Sequence, residues 1–105
     1  MSDAPAEVRK ERVDDHTVRA DLRIVNRLGL HARAAARFVE TANRFDADVV
    51  VANGDESVSG KSILGLMMLA AAEGTLLTVT ATGTDAEAAI DALADLVAQR
   101  FHEDS

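Results

Sequence analysis

The chain has no cysteine, tryptophan or tyrosine, and only one proline and three phenylalanines among 105 residues. Without cysteine there is no disulfide staple, thiolate zinc site or thiol nucleophile, and the composition suits a reducing compartment. With an aromatic share of 3%, the core must be assembled from Ala, Val, Leu, Ile and Met around three Phe. Long apolar runs are scarce as well. The longest, residues 63–72, falls well short of the about 20 residues a membrane span needs. The opening stretch MSDAPAEVRKER lacks the apolar segment of a secretory signal. The expectation is a soluble, cytoplasmic protein without membrane insertion. Its length suits one domain with a single modest core.

Excess positive charge is also missing. The net charge of −7 argues against a general nucleic-acid binder, and the lack of Trp and Tyr removes the usual base-stacking groups. The charge is unevenly spread, however. Between positions 23 and 44 five arginines (Arg23, Arg27, Arg33, Arg37, Arg44) stand against the single acid Glu40, a balance of +4. From position 85 to 105 six acids stand against Arg100, a balance of −5. A basic segment on an acidic chain suits a local anion site or an acidic partner. On charge alone, a solvated helix face is the simpler explanation.

Residues 1–17 are polar, contain Pro5 and show no sustained periodicity, so they read as a mobile tail preceding a domain over 18–102. From Val18 the pattern sharpens. Val18, Ala20, Leu22 and Ile24 alternate with charged residues, the period of a half-buried strand. After a Gly29-containing loop, Ala35, Phe38, Val39, Ala42 and Phe45 recur at helical spacing, which predicts an amphipathic helix from about Ala32 to Asn43. A Val-rich strand over 48–52, a turn at Asn53-Gly54 and a return strand over 56–59 follow. Ser62 is placed to cap a short helix beginning at Ile63. Leu77, Val79 and Ala81 alternate with threonines in a further strand. Thr84 and Glu87 have capping-box spacing ahead of a last helix, with Ala86, Ala89, Ile90, Leu93, Val97 and Phe101 as its buried stripe. The order β-α-β-β-α-β-α predicts an α+β open-faced sandwich, three helices on one face of a four-stranded antiparallel sheet.

Of the three histidines, His16 and His102 fall in tail segments and read as solvated. His31 follows Gly29-Leu30 and starts a helix, with Arg33 two residues on. Free N–H groups and partial positive charge in a first helical turn favour a bound anion. The same field disfavours imidazolium and leaves a neutral ring nitrogen as a nucleophile. Arg33 offers a planar fork of donors for phosphate oxygens. A histidine that merely caps the helix would give the same local pattern. No carboxylate pair, metal cluster or glycine-rich phosphate loop stands out, so neither an enzyme, a metal nor a cofactor is expected.

The segment Gly29-Leu30-His31-Ala32-Arg33-Ala34-Ala35 with Phe38-Val39 resembles the active-site segment of the HPr family, the histidine-containing phosphocarriers of the bacterial phosphoenolpyruvate-dependent phosphotransferase system, including its nitrogen-related branch. Gly60 to Leu69 and Glu73-Gly74-Thr75 match the same family at the expected distances, so the resemblance spans about Val18 to Phe101. It implies that His31 accepts a phosphoryl group on Nδ1 from Enzyme I and passes it to a histidine of an Enzyme II A-component. Arg33 and the backbone amides of Ala32 and Arg33 would then stabilise the group. The protein would be a stoichiometric carrier, by default a monomer, rather than a catalyst. The family usually has Pro at the position of Ala34, which predicts slightly looser geometry in the first helical turn. Ser62 matches a serine that a dedicated kinase, HPr kinase/phosphorylase, modifies in some members, and an ordinary N-cap explains it equally well. In the short helix, Ile63, Leu66 and Leu69 are expected to point inward, leaving Leu64, Met67 and Met68 exposed. The resemblance makes this helix, Ile63 included, a docking surface with Arg37 at its positive rim. The alternative reading is a regulatory HPr paralogue that acts by protein binding under control of Ser62 phosphorylation.

Overall fold

The computed structural model describes residues 9–103. Five strands and three helices run in the order β1 (Glu11–Asp14), β2 (Thr17–Arg23), α1 (Ala32–Ala42), β3 (Asp48–Asn53), β4 (Glu56–Ser59), α2 (Ile63–Met68), β5 (Leu76–Thr82) and α3 (Ala86–Ala98). A single turn at Arg100–His102 closes the described chain. The sheet order is β1-β2-β5-β3-β4 with every neighbouring pair antiparallel.

Period-two patterning places the core. The pairs Val18↔Ala81, Ala20↔Val79 and Leu22↔Leu77 join β2 to β5, while Val49↔Ala81 and Val51↔Val79 join β3 to β5. All these residues are buried, and the alternate positions are half-buried or exposed. One sheet face is therefore covered, and α3 packs there across β2 and β5, with α1 against both α2 and α3. Ala35, Phe38, Val39 and Ala42 of α1 and Ala86, Ala89, Ile90, Leu93 and Val97 of α3 fill the layer between, as their spacing predicts. The fold class is α+β with an open antiparallel sheet and three helices.

Four expectations need correction. The sheet has five strands rather than four, because the last part of the expected tail pairs with β2 as an edge strand, Glu11 opposite Arg19 and Arg12 opposite Val18. All four β1 side chains are exposed, so no apolar alternation marks the strand. It is held by the ladder and by Lys10 and Arg12 reaching Glu87 and Asp91 on α3. Residues 1–8 of that expected tail lie outside the described residues. The turn in the β3–β4 hairpin is Gly54-Asp55, one position later than the Asn53-Gly54 reading, since Asn53 pairs with Glu56. Gly54 takes φ 65°, which a two-residue hairpin loop requires. The predicted capping box at α3 does not form. Asp85 is the N-cap, the Thr84 hydroxyl donates to Asp46 Oδ2 at 3.0 Å, and Glu87 is drawn off by Lys10 and Arg12. A tertiary tie between the α1–β3 loop and α3 outcompetes the local cap. Finally, Phe101 is buried as expected, yet from the turn beyond α3 and not from the helix itself.

Candidate functional site

Two connections and the C-terminal turn meet at one end of the molecule. The β2–α1 segment runs alongside the α2–β5 loop, joined by Ile24 N–H to Thr75 O (2.9 Å), Gly74 N–H to Ile24 O (2.7 Å) and Leu30 N–H to Ala71 O (2.8 Å). Gly29 makes this approach possible. Its φ is 69°, and a Cβ there would lie 2.5 Å from Ala71 O. The Leu-His step that follows is thereby fixed in direction, with Leu30 buried and His31 turned to the rim of the molecule.

His31 is the N-cap of α1, with extended backbone and its Nδ1 accepting the Arg33 amide at 3.3 Å. Sequence reasoning allowed either a capping role or a nucleophile, and here one ring nitrogen does the capping. The other, Nε2, bonds the carboxylate of Glu103, which comes from the C-terminal turn. The His31 side chain is 28% exposed and that of Glu103 only 11%. Beside them, Asn26 is fully buried, and its Nδ2 donates to Gly29 O at 2.9 Å and to Glu103 Oε1 at 3.1 Å. Its Oδ1 has no hydrogen-bond partner. Leu28, His31, Ala32, Arg33, Arg37, His102 and Glu103 line an open cleft of about 690 Å³.

The predicted residues separate into two groups. Ala32 and Arg33 lie exposed on the cleft beside His31. Arg37 also lines it, but its guanidinium is engaged with the Phe101 carbonyl. Ala34, at the position where the family usually has proline, is fully buried at the base of this turn. The second group is on α2. Ser62 Oγ accepts the Gly65 amide at 2.9 Å, the N-cap read from sequence. Leu66 and Leu69 point inward and Leu64, Met67 and Met68 outward, as expected. Ile63 is the exception at 42% exposed, so it joins the outward set. A six-residue helix has room for little more than one inward row, and Leu66 occupies it. His16 is exposed in the β1–β2 turn. Among the described residues no cluster of His, Cys, Asp and Glu could hold a metal ion, and no helix is long and apolar enough to cross a membrane.

Sequence reasoning missed Asn26 and Glu103. Asn26 falls in the loop that contains Gly29, and Glu103 falls among the six acids of the last segment. Only the turn that brings residue 103 across to residue 31 gives them meaning, and no local pattern announces it.

Comparison with known proteins gives a consistent picture. The family model described as "PTS HPr component phosphorylation site" matches residues 18–99. The phosphocarrier protein HPr of Neisseria meningitidis is 46% identical over 86 residues, covering 82% of this chain and 97% of that protein. The phosphocarrier protein NPr of Shewanella violacea is 44% identical over 82 residues, covering 78% of this chain and 90% of that one. The crystal structure of HPr-C-His from Thermoanaerobacter tengcongensis superimposes with a TM-score of 0.79 at 40% identity, covering 83% of this chain and 98% of that one.

Proposed function

This chain belongs to the HPr family of phosphotransferase-system phosphocarriers, and from that premise we propose that it carries a phosphoryl group on Nδ1 of His31. The group arrives from phospho-Enzyme I and leaves to a histidine of an Enzyme II A-component. The observation that supports this reading most is the geometry of His31: a ring at a helix N-terminus, partly exposed on an open cleft, with Nδ1 facing the Arg33 amide.

Phosphoryl transfer asks for positioning and charge stabilisation more than for covalent machinery. The amides of the first turn of α1 and the partial positive charge there suit the incoming oxygens. Arg33, exposed on the same rim, offers its guanidinium to the phosphate. The openness of the cleft matters equally, because donor and acceptor must reach the same nitrogen in turn. Leu28, Ile63, Leu64, Met67 and Met68 leave apolar surface exposed that suits successive partners. In this reading the chain acts as a cytoplasmic monomer and turns over only through its partners. The regulatory alternative would use Ser62, whose hydroxyl already serves as the α2 cap. Nothing in its surroundings calls for a second role, so the carrier reading is preferred.

The test is intact-mass spectrometry after incubation with phosphoenolpyruvate and Enzyme I, on the wild type and His31→Ala. One acid-labile phosphoryl group on the wild type, absent from the variant, is expected. A wild type left unmodified by an Enzyme I that charges a control carrier would turn the reading toward the regulatory paralogue.

A further inference from the structure

We infer that Asn26 is a positioning residue for phosphoryl transfer: its buried side chain clasps the turn that presents His31 and so fixes where the ring stands. The inference rests on the carrier reading above and adds to it the group that holds the approach to the nucleophile.

The first observation is a polar residue at a core position. Val18, Ala20, Leu22 and Ile24 take the inward places along β2 and just beyond it, each exposed by 1% or less. Position 26 continues that alternation and is equally buried, yet it holds Asn rather than an aliphatic side chain. Its Oδ1 has no hydrogen-bond partner. A buried amide oxygen left unpaired gives up its contacts with water and gains nothing in their place. An aliphatic residue here would bury more apolar surface and strand no oxygen. Departures of this kind from the local pattern concentrate where function requires them.

The second observation is what the amide group does. Asn26 holds Gly29 from both sides: its carbonyl accepts the Gly29 N–H at 3.2 Å, and its Nδ2 donates to Gly29 O at 2.9 Å. Main chain and side chain together close one short turn. On the other flank the Leu30 amide donates to Ala71 O at 2.8 Å. The backbone entering His31 is therefore clamped at two successive residues, Gly29 by Asn26 and Leu30 by the α2–β5 loop. Leu has nearly the shape of Asn but no donor, and an ionised Asp has no hydrogen to give. The same Nδ2 also donates to Glu103 Oε1 at 3.1 Å.

The clamp matters at the moment of transfer. His31 Nδ1 forms its bond to phosphorus as the bond from phosphorus to the donor breaks, the electron pair of that bond leaving with the donor. The attacking nitrogen must lie in line with the departing bond, and a displacement of about 1 Å can cost about a hundred-fold in rate. The ring is partly exposed, so packing alone does not hold it. Its bond to the Arg33 amide is long, at 3.3 Å. Much of the precision must come from the backbone that carries the ring, and Asn26 fixes that backbone from within the core.

The test compares full-length wild type, Asn26→Leu and Asn26→Ser in steady-state phosphorylation by phospho-Enzyme I, with thermal unfolding followed alongside. Leu keeps the shape of the side chain and Ser part of its polarity, and neither brings a donor to Gly29 O. Both variants are expected to unfold cooperatively and to lose about ten-fold in kcat. KM should move by less, because the apolar surface of α2 is untouched. A mutant cycle separates the turn from the carboxylate: Asn26→Leu should cost the same factor in a Glu103→Ala background as in wild type. A cost that vanishes in that background assigns Asn26 to Glu103 rather than to the turn, and overturns the inference. A folded Asn26→Leu or Asn26→Ser with the wild-type kcat overturns it too. A wild type that accepts no phosphoryl group from active Enzyme I overturns the carrier reading instead.

Discussion

At its N-terminal end the folded chain is tied back by charge. Lys10 and Arg12 reach Glu87 and Asp91 on α3 at 2.8–3.1 Å, and every partner is a third or more exposed. At its C-terminal end the chain is tied back by burial. Phe101 is sealed in the core, and Glu103 is matched to Asn26 and His31 with little solvent between. Both segments lie outside the 18–99 stretch that the family model matches. Exposed ion pairs exchange water contacts for similar ones and are screened by salt. A buried ring and a matched carboxylate cannot be released without leaving a void or unpaired groups. The first end is a reversible attachment, and the second is part of the site.

The comparison breaks most visibly at Phe101. Phe101→Ala should lower stability by about 3–5 kcal/mol, the usual cost of emptying an aromatic site in a core, as measured by urea denaturation. It should also slow phosphorylation, because the turn that delivers Glu103 loses its anchor. A stable variant with the wild-type transfer rate would show that the turn holds without its ring. Arg12→Ala is the matching change at the other end. It should leave the transfer rate unaltered and speed amide exchange in Glu11–Asp14 alone.

The smallest effect is the response of that strand to pH. The Lys10 and Arg12 hydrogen bonds hold the Glu87 carboxyl below its ordinary value of 4.5. Hydrogen bonds to Asp91 and Glu87 hold the Lys10 amine above its ordinary value of 10.5. A depressed carboxyl stabilises the fold above its ordinary value, and that contribution fades as pH falls below 4.5 through the depressed one. A raised amine stabilises below 10.5, and its contribution fades as pH rises beyond that through the raised value. Amide exchange of β1, corrected for its intrinsic pH dependence, should therefore be most protected between these limits and loosen first on the acid side. The His16 amide likewise holds the Asp14 carboxyl down, with the same sign. Added salt at neutral pH should loosen β1 and leave the C-terminal turn unchanged.

How far the sequence could be read follows the same division. Elements that bury one face declare themselves by period. Val18 to Ile24, Phe38 with its neighbours, and Leu77 to Ala81 were all legible, as were the Ser62 cap and His31 at a helix start. Edge strand β1 was not, since all its side chains face solvent and its ladder bonds leave no trace in residue type. Thr84 and Glu87 have the spacing of a local cap but are claimed by Asp46 and by Lys10 and Arg12. Phe101 fits a helical stripe by number and reaches the core by reversing the backbone hand. Around the site, the residues within one helical turn of His31 could be found from sequence. Asn26 and Glu103 could not, because the bond that joins them spans 77 residues of separation.

The most direct test of the whole account is to find which nitrogen of His31 bears the phosphorus. Phosphorylated protein labelled with ¹⁵N in its histidines, observed through ³¹P–¹⁵N coupling, gives the answer in one spectrum. Phosphorus on Nδ1, with hydrogen still on Nε2, is the predicted result. Phosphorus on Nε2 would mean that the Glu103 contact is broken during transfer, and it would contradict the account at its centre.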